Sequence, residues 1–146
     1  MRSDRQLADT AHELRLSMMR LVRRLRQEKT ALVPPYPQLA VLGWLDRDGP
    51  MTNTRLAAVE RVTPQTMART TAELVAEGLI SRAEDPTDRR QVLLAVNERG
   101  RQLLEEDRRR RDTFLATAMA TELTPTEREL LRLAAGLLDK LAEAAR

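Results

Sequence analysis

Hydrophobic positions change their period several times along this chain, and each change marks an element. Leu7, Ala11, Leu14, Met18, Leu21 and Leu25 step alternately by four and three residues, which is the spacing of a helical seam packed against another helix. Leu16, Met19 and Val22 add apolar surface off that seam, so a second subunit is expected as one of the helix's neighbours. Pro34, Pro35 and Pro37 interrupt it. A second helix is expected over about 36–48, with Leu39, Leu42 and Leu45 on one side and Gly49-Pro50 at its end. Thr52 can cap a short third helix over 53–60 with Leu56 and Val59 inward.

The stretch 63–96 organises the rest. Thr63 caps and Pro64 opens a helix that Gly78 stops. At about 100° per residue, Met67, Thr71, Leu74 and Val75 share one side, and Gln65, Thr66, Arg69 and Glu73 share the other. Strand-like runs at 79–84 and 91–96 then flank the polar turn Asp85-Pro86-Thr87-Asp88-Arg89-Arg90. Two short helices, a tight turn between them and a hairpin with a basic tip outline a winged helix-turn-helix.

Asn97 caps a long helix over about 98–121, apolar near both ends and charged all round at 105–112, a stretch expected to bridge solvent between two lobes. The last helix opens on Thr124-Pro125-Thr126-Glu127, a capping box with proline at its first position. Leu130, Leu131, Leu133, Leu137, Leu138 and Leu141 give it a wide stripe. With the first helix, this is more apolar surface than a small winged helix can cover, and a helical dimerisation lobe follows. The expected fold is mainly α with a small β-hairpin wing (α+β), one domain over 1–146. Residues 34–100 form the winged lobe, and 4–30 with 101–146 form the helical dimerisation lobe.

Composition narrows the chemistry. Aromatic residues are only 2%, namely Tyr36, Trp44 and Phe114, so the core must be aliphatic. Tyr36 and Trp44 are the candidates for a small-molecule pocket, with a plain core anchor as the other reading of Trp44. Net charge is +3 and the sequence pI about 10.1, almost all of it from arginine, so placement of the arginines has to carry any nucleic-acid argument. Arg20, Arg23, Arg24 and Arg26 read as a charged outer face, or as contacts to a DNA backbone.

There is no cysteine and one histidine, His12, which excludes disulfides, thiol sensing and cysteine–zinc sites. No glycine-rich phosphate loop, His-Glu-x-x-His pair or Gly-x-Ser-x-Gly elbow occurs. No enzyme activity, cofactor or metal is expected. The first residues lack the apolar run of a signal peptide and no segment is long enough to span a bilayer, so a cytoplasmic protein without membrane partners is expected.

Gln65 and Arg69 are long and fork-ended, suited to two-point contact with a base edge in the major groove. Thr63 and Thr66 lie where a helix N-terminus favours phosphate. The candidate DNA contacts are Thr63, Pro64, Gln65, Thr66, Arg69 and Thr70 on the helix and Asp88, Arg89 and Arg90 on the turn. The competing reading of the helix is an ordinary polar face that meets only water.

Asp48-Gly49-Pro50-Met51-Thr52, Val62-Thr63, Leu74-Val75-Ala76-Glu77-Gly78-Leu79-Ile80-Ser81-Arg82, Asp85-Pro86-Thr87-Asp88-Arg89-Arg90 and Val96-Asn97-Glu98-Arg99-Gly100 follow one another in an order and spacing that resembles the MarR-type transcriptional regulators. The resemblance runs from the first helix to the last. It implies a roughly triangular homodimer whose two winged lobes read a pseudo-palindromic double-stranded DNA operator, recognition helices in successive major grooves and wing tips in the flanking minor groove. It assigns Asp88 to position Arg90, and Arg90 to the minor groove. Many such proteins release DNA when an aromatic acid or another small molecule binds between their lobes. The absence of cysteine and of a ligand cluster sets this chain apart from redox- and metal-sensing members. The expected function is a dimeric sequence-specific repressor released by a small aromatic or amphipathic effector. The alternative is a winged-helix protein-interaction module without sequence-specific DNA binding.

Overall fold

The computed structural model describes residues 2–28 and 33–144. The last two residues of the expected 4–30 segment, and residues 145–146 at the end of the other, lie outside the described residues. In chain order the elements are α1 (Arg2–Gln27), α2 (Tyr36–Asp48), β1 (Met51–Thr52), α3 (Asn53–Glu60), α4 (Pro64–Ala76), β2 (Ile80–Glu84), β3 (Val92–Val96), α5 (Glu98–Glu122) and α6 (Pro125–Glu143). They fall into two compact units, Lys29–Arg109 and Met1–Glu28 with Arg110–Arg146, and α5 contributes to both.

The unit Lys29–Arg109 is built around an aliphatic core. Val41, Leu42 and Leu45 of α2, Leu56 and Ala57 of α3, Met67 and Leu74 of α4, Leu79 and Ile80, Leu94 and Val96 of β3 and Leu104 of α5 are all buried in it. Trp44 packs against this core from its edge. In α3 the inward face is Leu56 with Ala57, and Val59 lies at 36% exposure, which corrects the expectation of Leu56 with Val59. Glu60 is half-buried at the end of α3, and its carboxylate accepts from the Trp44 indole N–H.

The wing is a three-stranded antiparallel sheet in the order β1-β3-β2. Ile80 pairs with Val96 and Glu84 with Val92 across the hairpin. Met51 pairs with Leu94 and Thr52 with Leu93, so Thr52, expected only as a helix cap, also helps close the sheet. Thr52 still caps α3, accepting from Arg55 N–H at 3.2 Å.

Two residues lock the wing to the end of α4. Asn97 donates its side-chain amide to Gly78 C=O at 2.7 Å and accepts from Gly100 N–H at 2.9 Å. A Cβ on Gly100 would sit 2.3 Å from the Leu79 carbonyl oxygen and 2.8 Å from a Val96 methyl. Only glycine allows α5 to start this close to the strands. Gly78 itself turns the chain out of α4 with φ +72°.

The charged run on α5 does not simply face water. Asp107 is buried, and Arg108 reaches across to Asp46 of α2 at 2.9 Å. Arg109 pairs within the helix with Glu106 at 4.0 Å.

The second unit contains α1, the C-terminal part of α5, and α6. The Arg128 side chain donates to the carbonyls of Met119, Ala120 and Leu123, which sets a cation at the C-terminal end of α5. Arg24, expected on an outer face, stacks over the Phe114 ring at 4.2 Å and pairs with Glu28 at 2.5 Å. No residue of α6 is buried, and Leu7, Met19, Leu21 and Val22 of α1 are exposed as well.

Candidate nucleic-acid interface

Thr63 adopts an extended backbone, φ −69° and ψ 150°, and its hydroxyl accepts from Thr66 N–H at 3.2 Å, with Pro64 entering the first turn. The Thr66 N–H is therefore already bonded within the cap. The Thr63 and Thr66 hydroxyls also lie 2.9 Å apart, and Thr70 donates back to Thr66 C=O at 3.2 Å. α4 buries Met67, Thr71 and Leu74 and turns Gln65, Thr66, Arg69 and Glu73 outward. The Arg69 side chain is 85% exposed, and its Nε donates to Glu73 Oε1 at 3.3 Å.

The recognition-type helix is held from below by polar contacts that the sequence pattern does not announce. Asn53 of α3 donates to Pro64 C=O at 3.1 Å and accepts from the buried Thr71 hydroxyl at 3.2 Å. Gln38 of α2 donates to Glu73 Oε2 at 2.8 Å. Inward-leaning polar residues at helix starts, such as Asn53 and Gln38, were the one signal that could have found these links.

In the wing turn, Asp85 accepts from the backbone N–H of Thr87 at 2.9 Å and from its hydroxyl at 2.8 Å. These bonds, the backbone one first, stabilise the ionised form and hold the carboxyl below its ordinary value. Asp88 accepts from Arg90 N–H at 3.1 Å and from Arg90 Nε at 3.3 Å. Arg89 is exposed, and the Arg90 side chain is 91% exposed.

Two depressions flank these groups. A cleft of about 260 Å³ is lined by Asn53, Ala68, Thr71, Arg82, Val92 and Leu94. A more polar groove of about 550 Å³ brings Thr54 and Arg55 of α3 to one surface with Arg90 and Gln91 of the wing. Arg55 and Arg82 are cations beside the candidate contacts that sequence reasoning passed over, because Arg55 stands alone on a short helix and Arg82 closes a motif read only for its fold. Tyr36 and Trp44 line neither depression. Tyr36 is 51% exposed at the start of α2, whereas Trp44 is partly buried with the Arg47 guanidinium 4.2 Å above its ring. Among the described residues, no group of three or more His, Asp or Glu could hold a metal ion, and no helix is long and apolar enough to cross a membrane.

The family model described as MarR family matches residues 35–92, from the entry into α2 to the start of β3. An uncharacterized HTH-type transcriptional regulator of Mycobacterium bovis is 41% identical over 136 residues, which is 93% of this chain and 94% of that protein. The chain belongs to the MarR family. Other members share the fold. A crystal structure of a protein from Pseudomonas aeruginosa, described as a transcriptional regulator, superposes with a TM-score of 0.84 at 38% identity, covering 94% of this chain and 96% of that one. BpsR of Bordetella bronchiseptica, whose DNA binding is regulated by 6-hydroxynicotinic acid, superposes with a TM-score of 0.65 at 25% identity, covering 92% and 99%. As a MarR-family protein the chain is a DNA-binding transcriptional regulator. The winged unit Lys29–Arg109 carries all the candidate DNA contacts.

Proposed function

We propose that this MarR-family regulator is a homodimeric repressor that binds a pseudo-palindromic operator in the cytoplasm and leaves it when a small aromatic or amphipathic effector binds. The observation that carries the reading is the outward, fork-ended pair Gln65 and Arg69 on α4, together with the exposed, carboxylate-braced Arg90 of the wing. Thr63, Pro64, Thr66 and Thr70 follow the phosphates beside that helix, and Arg89 supports Arg90 at the flank. A narrow minor groove concentrates negative potential and favours an inserted arginine.

The dimer is supported by the apolar faces that α1 and α6 leave exposed, since a soluble chain rarely leaves stripes of that size uncovered. Two-fold symmetry then places two α4 helices in successive major grooves, with half-site centres about 10 base pairs apart. A dimer seated across a promoter obstructs polymerase, which makes repression the simpler outcome. The effector is supported by the regulation of BpsR by an aromatic acid, and Tyr36 and Trp44 are this chain's aromatic candidates for holding one. A protein-interaction module is disfavoured by the outward face of α4, whose polar residues are not the apolar anchors that such interfaces use.

The test is fluorescence-anisotropy binding to the duplex upstream of its own gene and to a scrambled duplex, across a salt series, followed by a panel of aromatic acids. Selective binding at physiological salt with two chains per site, relieved by a panel member, is the expected result. Equal, salt-sensitive binding to both duplexes would leave only generic electrostatics and overturn the reading.

A further inference from the structure

Arg69 stands at the end of a chain of bonds that begins inside the winged unit. Gln38 of α2 is 5% exposed and donates through Nε2 to Glu73 Oε2 at 2.8 Å. The other oxygen of that carboxylate, Oε1, accepts from Arg69 Nε at 3.3 Å. The direction of the first bond is fixed by chemistry, because an ionised carboxylate can only accept and the Gln38 amide must therefore turn its NH₂ toward it. Close packing around Gln38 holds that amide in place.

An exposed Arg–Glu pair one helical turn apart is by itself weak, since both side chains remain mobile and screened by solvent. The buried amide changes this. It pins one carboxylate oxygen and so gives the other a set direction. The carboxylate also takes the inner nitrogen of Arg69, leaving both terminal nitrogens for the two acceptors, O6 and N7, that guanine presents in the major groove.

We propose that Glu73, tethered by Gln38, is a positioning residue that pre-orders the Arg69 guanidinium for two-point recognition of a guanine, and so sets the regulator's sequence selectivity. The inference rests on the reading that Arg69 contacts a base edge. Pre-ordering removes much of the rotamer loss that a free arginine would suffer on a specific site. The fixed carboxylate also keeps the guanidinium from swinging to the nearest phosphate, the contact that random DNA offers equally well.

The test measures affinity for the upstream duplex and for a scrambled duplex of equal length, at one salt concentration, using the full-length chain. Gln38→Met removes the tether at similar volume. Glu73→Asp shortens its reach on an exposed helix face. Neither changes the net charge. Each is expected to lower the upstream-to-scrambled affinity ratio about threefold to tenfold without weakening binding to scrambled DNA, and neither should lower it further in an Arg69→Ala background.

Wild-type ratios in Glu73→Asp and in a folded Gln38→Met would overturn the proposal, as would losses that persist without Arg69. An Arg69→Ala protein with an unchanged ratio would instead overturn the assignment of Arg69 to a base, so the two failures are distinguishable. Should Gln38→Met lower the melting temperature sharply, Glu73→Asp decides alone.

Discussion

A single carboxylate oxygen of Asp88 holds Arg90 at two points, accepting its backbone N–H at 3.1 Å and its side-chain Nε at 3.3 Å. The first bond shapes the turn and the second aims the side chain, so conformation and charge are set by one atom. The terminal guanidinium nitrogens are left to the outside of a side chain that is 91% exposed. Arg90→Ala is expected to weaken operator binding by about 1–3 kcal/mol and to lower the salt slope by about one, with the dimer intact. Asp88→Asn keeps an oxygen for the turn but loses the charge that aims Arg90, and should cost about 0.5 kcal/mol of binding. Anisotropy titrations beside sedimentation of the free proteins check both. An Arg90→Ala protein that binds like the wild type would remove the wing from the interface.

Gly100 makes a different kind of demand. Any side chain there meets the Leu79 carbonyl oxygen at 2.3 Å and a Val96 methyl at 2.8 Å, and the carbonyl already accepts from Asn97 N–H at 3.2 Å. Backbone cannot yield as a flexible side chain can. Gly100→Ala should destabilise the winged unit by about 1–3 kcal/mol, the usual scale of overpacking. Adding Val96→Ala relieves the methyl clash and leaves the carbonyl clash, so it should not restore stability. Urea unfolding of both variants measures this, and full recovery in the double variant would show that the backbone contact is unimportant.

The capping box of α6 gives a pH dependence. Glu127 Oε2 accepts from Thr124 N–H at 2.8 Å and from the Thr124 hydroxyl at 2.9 Å, and the Glu127 N–H donates back to that hydroxyl at 3.3 Å. These bonds, the backbone one first, lower the Glu127 carboxyl below its ordinary 4.5. A carboxyl whose folded value is depressed adds stability that is fully present above the unfolded value and is lost as pH falls through the folded one. The stability difference between wild type and Glu127→Gln should therefore hold at neutral pH and vanish in acid below 4.5. Thr124→Ala should cost about 1 kcal/mol near neutrality. A difference that stays constant into acid would mean that the charge plays no part.

Elements with a strong local signal were legible in the sequence. The period of α4 separated Met67, Thr71 and Leu74 from Gln65, Thr66 and Arg69 because the angle between helical positions is fixed by geometry. Thr52, Thr63, Asn97 and Thr124 announced helix starts because each hydroxyl or amide answers a backbone N–H only three residues ahead. What stayed hidden depends on partners that are distant in sequence. β1 is two residues long, too short for a period of two to register. Asp46 finds Arg108 across 62 positions and Gln38 finds Glu73 across 35, and no local window holds both members of either pair. The outward placement of Arg69 could thus be read in advance, whereas the bonds that hold it could not. Val59 misled for a related reason, since a two-turn helix is too short for its period to fix which apolar side turns inward.

The leucine stripe of α6 bears on the proposed dimer. Leu130, Leu133, Leu137 and Leu141 are 61%, 55%, 59% and 59% exposed, and α6 buries nothing. Burying apolar surface is worth about 25 cal/mol per Å², so several leucines left in water represent a large unused driving force for association. A carboxylate in the middle of that face would have to lose its hydration for the dimer to form. Leu137→Glu should therefore yield monomers in sedimentation. The winged unit has its own core, so the variant should keep weak, salt-sensitive affinity for any duplex. Operator affinity should fall about a hundredfold or more, because two half-sites are no longer engaged through one molecule. If Leu137→Glu stays dimeric and binds normally, α6 is not the dimer contact. If it becomes monomeric yet binds the operator as tightly as before, one winged unit suffices for recognition and the pseudo-palindromic reading fails.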